Sequence, residues 1–203
     1  MNQIMKMISL LLFAMLFNSC ASGYRKINPE TVAYVSKSME SNMLLEYKYD
    51  LLRKKYKKKE TKNNIRLIAV KITNSTQKDM VFGSDCKLTY ENGNEVSIVE
   101  TKKLFKTIKQ SPASYLWFLL LSPVQFYSGS TTTANSFPLG LIIGPGLTGG
   151  NMFAASSANK NFKNELMKFD LNGKTIKKGE TAYGLVGLNS NSYDSIKIKV
   201  QIE

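Results

Sequence analysis

Alternating apolar and polar positions predict short β-strands in both halves of the chain. Between residues 43 and 52 and between residues 196 and 202, apolar residues occupy every second position. Because successive side chains of a strand point to opposite faces, this alternation is typical of a strand with one buried face. Shorter apolar stretches predict further strands at 65–73, 79–82, 86–90, 96–101, 169–171 and 183–188. Residues 28–42 predict only a short helical turn or an arm.

Turn signals separate these strands. Asn92-Gly93 predicts a two-residue type I′ hairpin turn, in which residues 96–101 return as the partner of 86–90. A second Asn-Gly pair follows at residues 172–173, and Lys-Lys-Gly-Glu at 177–180 marks another turn. Many short strands separated by regular turns predict a mainly β fold, an antiparallel β-sandwich that spans residues 43–203.

An apolar insertion at residues 113–168 interrupts this pattern. The run 115–121 is strongly hydrophobic, the run 137–147 is apolar and rich in glycine, and residues 151–168 have the periodicity of a helix. No charged residue occurs from Ala113 to Ala158, although 21% of the whole chain is charged. We therefore predict a glycine-rich helical insertion with a separate role.

Three interpretations of the insertion remain open. It enters the bilayer as a re-entrant or interfacial hairpin, because neither apolar run alone has the length of a comfortable span. Alternatively, it packs against a partner protein or a second copy of the chain, since small residues at four-residue spacing permit close approach. The third interpretation is a helical layer that covers one face of the sandwich. The predicted contact residues for the first two are Tyr115, Leu116, Trp117, Phe118, Gly140, Gly144 and Gly146.

The N-terminal residues predict an export signal. Lys6 precedes an apolar run at residues 7–17, which is too short to span a bilayer. The run ends at Asn18-Ser19-Cys20, followed by three small residues. This segment resembles the signal peptide and looser lipobox of Bacteroidetes-type lipoproteins. We interpret residues 1–19 as the signal peptide and residues 20–42 as a lipidated tether and N-terminal arm.

The resemblance implies how the protein is anchored. In these lipoproteins the peptide bond before the cysteine is cleaved, and the thiol and new amino group of the cysteine are acylated. Cys20 is then the lipidation site and membrane lipid is a partner. Neither an acidic export cluster nor an Asp follows Cys20 directly, and by analogy this favours the periplasmic face of the outer membrane. Residues 43–101 and 169–203 also resemble secreted immunoglobulin-like modules, through Ile72–Thr76 and the turn after Ile176.

Positive charge is concentrated in one short stretch. The net charge is +13, and seven basic residues fall between 53 and 62. A solvated loop explains this stretch, and contact with anionic lipid is the alternative. Few arginines and an export signal argue against nucleic acid as a partner. The predicted basic surface consists of Arg53, Lys54, Lys55, Lys57, Lys58, Lys59 and Lys62.

Catalytic chemistry finds little support in the sequence. The chain has no His, which excludes His-dependent nucleophilic triads and imidazole metal ligands. Residues 144–149 match Gly-x-Gly-x-x-Gly, but the flanking pattern lacks parallel βαβ units. If Cys20 is acylated, Cys86 has no disulfide partner, and we expect it to be a small buried core residue. We predict no enzyme activity, no cofactor and no metal site.

These patterns together predict a non-catalytic, lipid-anchored envelope protein. The preferred hypothesis is a scaffold or accessory subunit that binds a partner at the membrane through residues 113–158. The alternative is a lipid-interacting protein whose insertion enters the bilayer without a protein partner.

Overall fold

The computed structural model of the chain describes residues 20–128 and 135–201. Contacts divide these residues into two compact units. Residues 20–23 and 110–159 form one, which we call the uncharged unit because it contains no Lys, Arg, Asp or Glu. Residues 24–109 and 160–201 form the other, which we call the sheet unit. The predicted signal peptide lies outside the described residues.

Short strands occur in both halves of the described residues. In chain order the strands are β1 (Ser36–Glu40), β2 (Met43–Lys48), β3 (Ile65–Asn74), β4 (Met80–Val81), β5 (Cys86–Tyr90), β6 (Ile98–Val99), β7 (Phe126–Ser128), β8 (Asn135–Phe137), β9 (Thr175–Ile176), β10 (Thr181–Asn189) and β11 (Ile196–Val200). Each pair of neighbouring strands is antiparallel: one sheet has the order β1-β2-β3-β10-β6, and the pairs β5–β11, β4–β9 and β7–β8 are separate.

The core of the sheet unit lies on the faces that the alternation predicts. In β2, Leu45 and Tyr47 are buried, while in β11 Ile196 and Ile198 are buried between exposed lysines. Side chains from the five-stranded sheet share one hydrophobic core with side chains from β4–β9 and β5–β11. The predicted β-rich, antiparallel character is therefore confirmed. The fold class is nevertheless mixed, because helices contain about as many residues as strands.

The turn after β5 differs from the prediction. Only Gly93 has a positive φ, of 83°, whereas a type I′ turn requires positive φ at two positions. Gly93 N donates to Tyr90 O, and Tyr90 N donates to Asn94 O, as in a three-residue turn that ends in a glycine bulge. The returning chain pairs with β5 only briefly, because Ile98 and Val99 pair with β10 instead.

Four helices occur in the described residues. They are α1 (Lys54–Lys62), α2 (Thr101–Ile108), a 3-10 helix (Pro112–Leu121) and α3 (Gly140–Lys168). The predicted lysine-rich loop is therefore a helix, because Tyr56 and Glu60 lie one turn apart and are both buried. The predicted arm at 28–42 likewise contains β1 rather than a helix.

The helix predicted at 151–168 begins eleven residues earlier in the structure, at Gly140. Uniform apolarity and Pro145 hide its first turns from periodicity analysis. The boundary between the two units falls inside α3, between Asn159 and Lys160. Residues 140–159 of α3 thus belong to the uncharged unit and residues 160–168 to the sheet unit.

Aromatic rings hold the helices of the sheet unit together. The Phe162 ring from α3 lies 5.2 Å from the rings of Tyr24 and Tyr56 and 6.1 Å from that of Phe105. Tyr24 and Tyr56 meet edge to face at 5.4 Å, a favourable arrangement for buried rings. This cluster fixes α1, α2 and the end of α3 with respect to one another.

Candidate functional site

The segment that follows Cys20 is docked on the uncharged unit. Ala21 N donates to Asn151 Oδ1 at 2.5 Å, and Ser22 N donates to Gln110 Oε1 at 3.0 Å. Gln110 Nε2 donates in return to Ser22 O at 2.6 Å. Cys20 itself is exposed. Ala21 and Ser22, the second and third residues of the predicted tether, are therefore fixed to this unit.

Gln110, the residue that holds Ser22, is itself held in place by Asn159. Asn159 Nδ2 donates to Gln110 O and Gln110 N donates to Asn159 Oδ1, both at 2.9 Å. Both residues are buried, so each of these bonds replaces hydration that the groups have lost. Sequence analysis missed Gln110 and Asn159, since isolated amides carry no local pattern.

Four of the predicted contact residues pack inside the uncharged unit instead. The buried rings of Tyr115 and Phe118 stack at 6.4 Å and lie against Ala155. A Cβ on Gly140 would lie 2.1 Å from Leu121 O, and one on Gly144 would lie 3.1 Å from Phe118 O. The two glycines therefore allow close approach of α3 to the 3-10 helix of the same chain, while their predicted contact with a partner or with lipid stays a prediction.

The other three predicted residues are exposed. Trp117 is 75% exposed, Leu116 is exposed beside it in the 3-10 helix, and Gly146 has open space around it. Most of the large apolar side chains that are exposed in the described residues belong to this unit. They are Leu116, Trp117, Leu119, Leu120, Val124, Phe137, Leu141, Ile142, Ile143 and Phe153.

One face of α3 is apolar and exposed. Ile142, Gly146, Gly149 and Phe153 recur at helical spacing, and all four are exposed. An exposed large apolar surface is uncommon on a soluble monomer and marks a site of contact with protein or membrane. The uncharged unit is therefore the strongest candidate for a functional surface.

Six of the seven basic residues between 53 and 62 lie on α1 of the sheet unit, Arg53 directly precedes this helix, and all seven are exposed or half-buried. Lys57 forms an ion pair with Asp50, and Lys59 Nζ donates to Lys109 O. On the inner side of α1, Glu60 Oε1 accepts a hydrogen bond from Leu67 N at 2.7 Å. Burial raises the pKa of the Glu60 carboxyl above its ordinary value, against the opposing effect of that hydrogen bond.

Cys86 is a core residue, as predicted. Its side chain is fully buried, and its Sγ lies 3.8 Å from Val81 O. Burial, with a smaller contribution from Asp85, raises the pKa of the Cys86 thiol to about 11. The thiolate form is thus scarce at neutral pH, which makes this group a poor nucleophile.

The glycine motif at residues 144–149 lies within α3. A dinucleotide fingerprint instead occupies the turn between a strand and a helix. Residues 141–143, which would form the preceding strand, are also helical. The structure thus places this motif in the wrong context for phosphate binding. Among residues 20–128 and 135–201, no group of three or more Cys, Asp or Glu side chains is arranged to hold a metal ion.

Comparison of the chain with protein-family models, with curated proteins and with solved structures finds no match. Within the described part of the chain, no helix combines the length and the apolar character needed to cross a membrane.

Proposed function

We propose that this protein is a non-catalytic lipoprotein of the cell envelope, whose uncharged unit lies in the membrane interface beside the acylated Cys20. By its resemblance to Bacteroidetes-type lipoproteins, it is placed at the periplasmic face of the outer membrane. Its anchor is then formed by the acyl chains together with the exposed apolar side chains of the unit.

The docking of Ala21 and Ser22 carries this proposal. Because consecutive Cα atoms are about 3.8 Å apart, acyl chains on Cys20 emerge directly from the surface of the uncharged unit. The two hydrogen bonds between Ser22 and Gln110 prevent this segment from acting as a long flexible spacer. Anchoring would therefore bring the unit to the headgroup region.

The chemistry of the unit suits that environment. It carries no charge whose desolvation would oppose insertion. Trp117 is an amphipathic ring of the type enriched at membrane interfaces. Amphipathic segments at such interfaces bury their apolar face to a depth of roughly 5–10 Å, which requires no spanning helix.

A scaffold that binds a partner protein was the preferred hypothesis from sequence. This hypothesis depends on another helix approaching closely at Gly140 and Gly144. In the structure, these two glycines lie against Leu121, Ser122 and Phe118 of the same chain. The exposed side chains remain suitable for either surface. The fixed position beside Cys20 therefore favours lipid over a protein partner.

We further infer an immunoglobulin-like sandwich for the sheet unit. The five-stranded sheet and the β5–β11 pair contribute to one core, with Ile72 and Val186 on one side and Leu88 and Ile198 on the other. A shared core between two antiparallel sheets is the defining feature of a sandwich.

The first experiment tests the anchor. Wild-type protein is purified from membranes, and mass spectrometry of its N-terminal peptide is expected to show Cys20 carrying acyl groups. An unmodified N-terminus at Met1, or cleavage at another residue, contradicts lipidation at Cys20.

The second experiment tests the uncharged unit alone. Residues 1–19 are replaced by a signal peptide that is cleaved without acylation, and Cys20→Ser is introduced. Because Trp117 is the only Trp in the chain, its emission reports on this unit directly. We expect the emission maximum of Trp117 to shift to shorter wavelength when vesicles of phosphatidylethanolamine and phosphatidylglycerol are added. The same shift is expected with neutral phosphatidylcholine vesicles.

A matched pair of variants completes this experiment. Trp117→Asp is expected to weaken vesicle sedimentation about tenfold or more, since a buried large apolar side chain contributes roughly 1.5–3 kcal/mol. Val35→Asp is the control, because Val35 is 76% exposed but lies in the sheet unit. An unshifted Trp117 emission, or equal losses in both variants, contradicts insertion of the uncharged unit; stoichiometric cross-linking to one envelope protein then favours a scaffold.

A further inference from the structure

An apolar groove crosses the helical face of the sheet unit. It has a volume of about 300 Å³ and lies between α2 and the last turns of α3. Phe105, Leu166 and Met167 supply its apolar surface. Small-molecule sites occupy roughly 300–1,000 Å³, so the groove suits one small ligand. All of its lining residues belong to the sheet unit.

Lysines surround this groove. Lys102, Lys106, Lys109 and Lys163 line it, all four are exposed, and no acidic residue is part of the lining. Among the described residues, none of the four forms an ion pair with a carboxylate. The groove thus combines an apolar floor with uncompensated positive charge.

The surrounding helices add to the positive charge. α2 contains three lysines and no acidic residue. The one carboxylate of α3, Glu165, accepts hydrogen bonds from Tyr24 and Ile27 N. Lys59 approaches the end of α2 by donating to Lys109 O, and burial together with Lys109 lowers its pKa. Lys59 thus adds a further ammonium group near Lys109, at the end of α2.

We propose that this groove binds a fatty acid, with its acyl chain against Phe105, Leu166 and Met167 and its carboxylate among the lysines. The lining extends along α2 from Thr101 to Lys109, a rise of about 12 Å, which suits an extended chain. A lysine ammonium group is a compact point charge and lacks the planar, bidentate donor geometry of an arginine guanidinium group. It therefore suits a small headgroup with a single charge, such as a carboxylate. An inorganic anion would leave the apolar floor exposed to water.

Titration calorimetry tests the proposal on the unacylated Cys20→Ser chain, with dodecanoate below its micelle concentration. We expect saturable binding at one site per chain. Dodecanol, which has the same chain without the charge, and inorganic phosphate, which has charge without the chain, are expected to bind at least about tenfold more weakly. Equal binding of dodecanol, phosphate binding as tight as that of dodecanoate, or no saturable binding overturns the proposal.

Variants locate the site. Lys106→Gln combined with Lys163→Gln is expected to weaken dodecanoate binding about tenfold and to leave dodecanol unchanged. Met167→Glu places a carboxylate on the groove wall and is expected to weaken dodecanoate binding further. All three positions are exposed, so folding should persist, and thermal unfolding checks this. Lys54→Gln with Lys58→Gln removes the same charge from α1; an equal loss there overturns the groove as the site.

Discussion

Gln110 and Ser22 lie 88 residues apart in the chain, and two hydrogen bonds join them. The Gln110 side chain accepts from Ser22 N and donates to Ser22 O, so that it pairs with the backbone as a neighbouring strand would. Both residues are buried. This clamp determines where the chain leaves the surface toward Cys20.

Gln110→Ala is expected to release the segment after Cys20. The substitution leaves the buried N–H and C=O of Ser22 without partners, at a cost of roughly 1–3 kcal/mol for each group. Limited trypsin digestion at Arg25 and Lys26 should become faster, and amide hydrogen exchange at Ser22 should increase. Ser22→Ala is the control, since both bonds use its backbone; comparable proteolysis of the two variants would contradict the clamp.

Gly140→Ala is expected to destabilise the uncharged unit by roughly 1–3 kcal/mol, because its Cβ would overlap Leu121 O. Gly146→Ala in the same helix meets open space. It should stabilise the unit by about 0.5–1 kcal/mol, through the entropy that glycine loses on folding. Hydrogen exchange within α3 measures both changes, and a neutral Gly140→Ala would contradict the close packing.

Glu60→Gln is expected to change how stability depends on pH. Because the folded-state pKa of Glu60 is raised, its ionisation opposes folding as pH rises through that value. At pH 7 the variant should therefore be more stable than the wild type. Below about pH 4.3, the unfolded pKa of Glu, the difference should vanish. Urea unfolding from pH 3.5 to 8 measures this, with exposed Glu91→Gln as control. A difference that grows toward low pH would have the wrong sign.

Asn74→Asp is expected to cost roughly 2–5 kcal/mol of unfolding free energy. The fully buried Asn74 amide donates to Lys78 O at 2.9 Å and to Ile176 O at 2.8 Å, and its oxygen accepts from Thr76. The substitution removes both N–H donors of the amide. A carboxylate oxygen would then face the carbonyl oxygens of Lys78 and Ile176. Ser75→Ala, at the exposed neighbouring position, should remain within about 0.5 kcal/mol of wild type in urea unfolding.

The strands could be predicted from sequence where a pattern is local. The alternation at Leu45 and Tyr47, or at Ile196 and Ile198, gives the buried face directly, because side chains alternate in any strand. The position of β10 between β3 and β6 could not be predicted in this way. It depends on pairing between strands more than 80 residues apart, such as Val186 with Ile68 and Leu188 with Ile98.

The candidate site could likewise be predicted from the sequence only in its local features. The absence of charge was evident from the sequence, and residues 110–159 of the uncharged unit end where charged residues begin again, at Lys109 and Lys160. Which apolar residues form its surface was not evident. Tyr115 and Phe118 are as hydrophobic as Leu116 and Trp117, yet the first two are buried and the last two exposed.

By itself, the sequence determined the β-strand alternation, the lack of imidazole chemistry and the limits of the uncharged segment, while the export signal stays a prediction. Each of these depends on residue type or on neighbours close in the chain. Only the tertiary structure decided that Gly140 and Gly144 pack against the same chain, that α1 turns Tyr56 and Glu60 inward, and that Gln110 holds Ser22. These features arise from contacts between distant residues, and burial in the fold, rather than residue type, sets their roles.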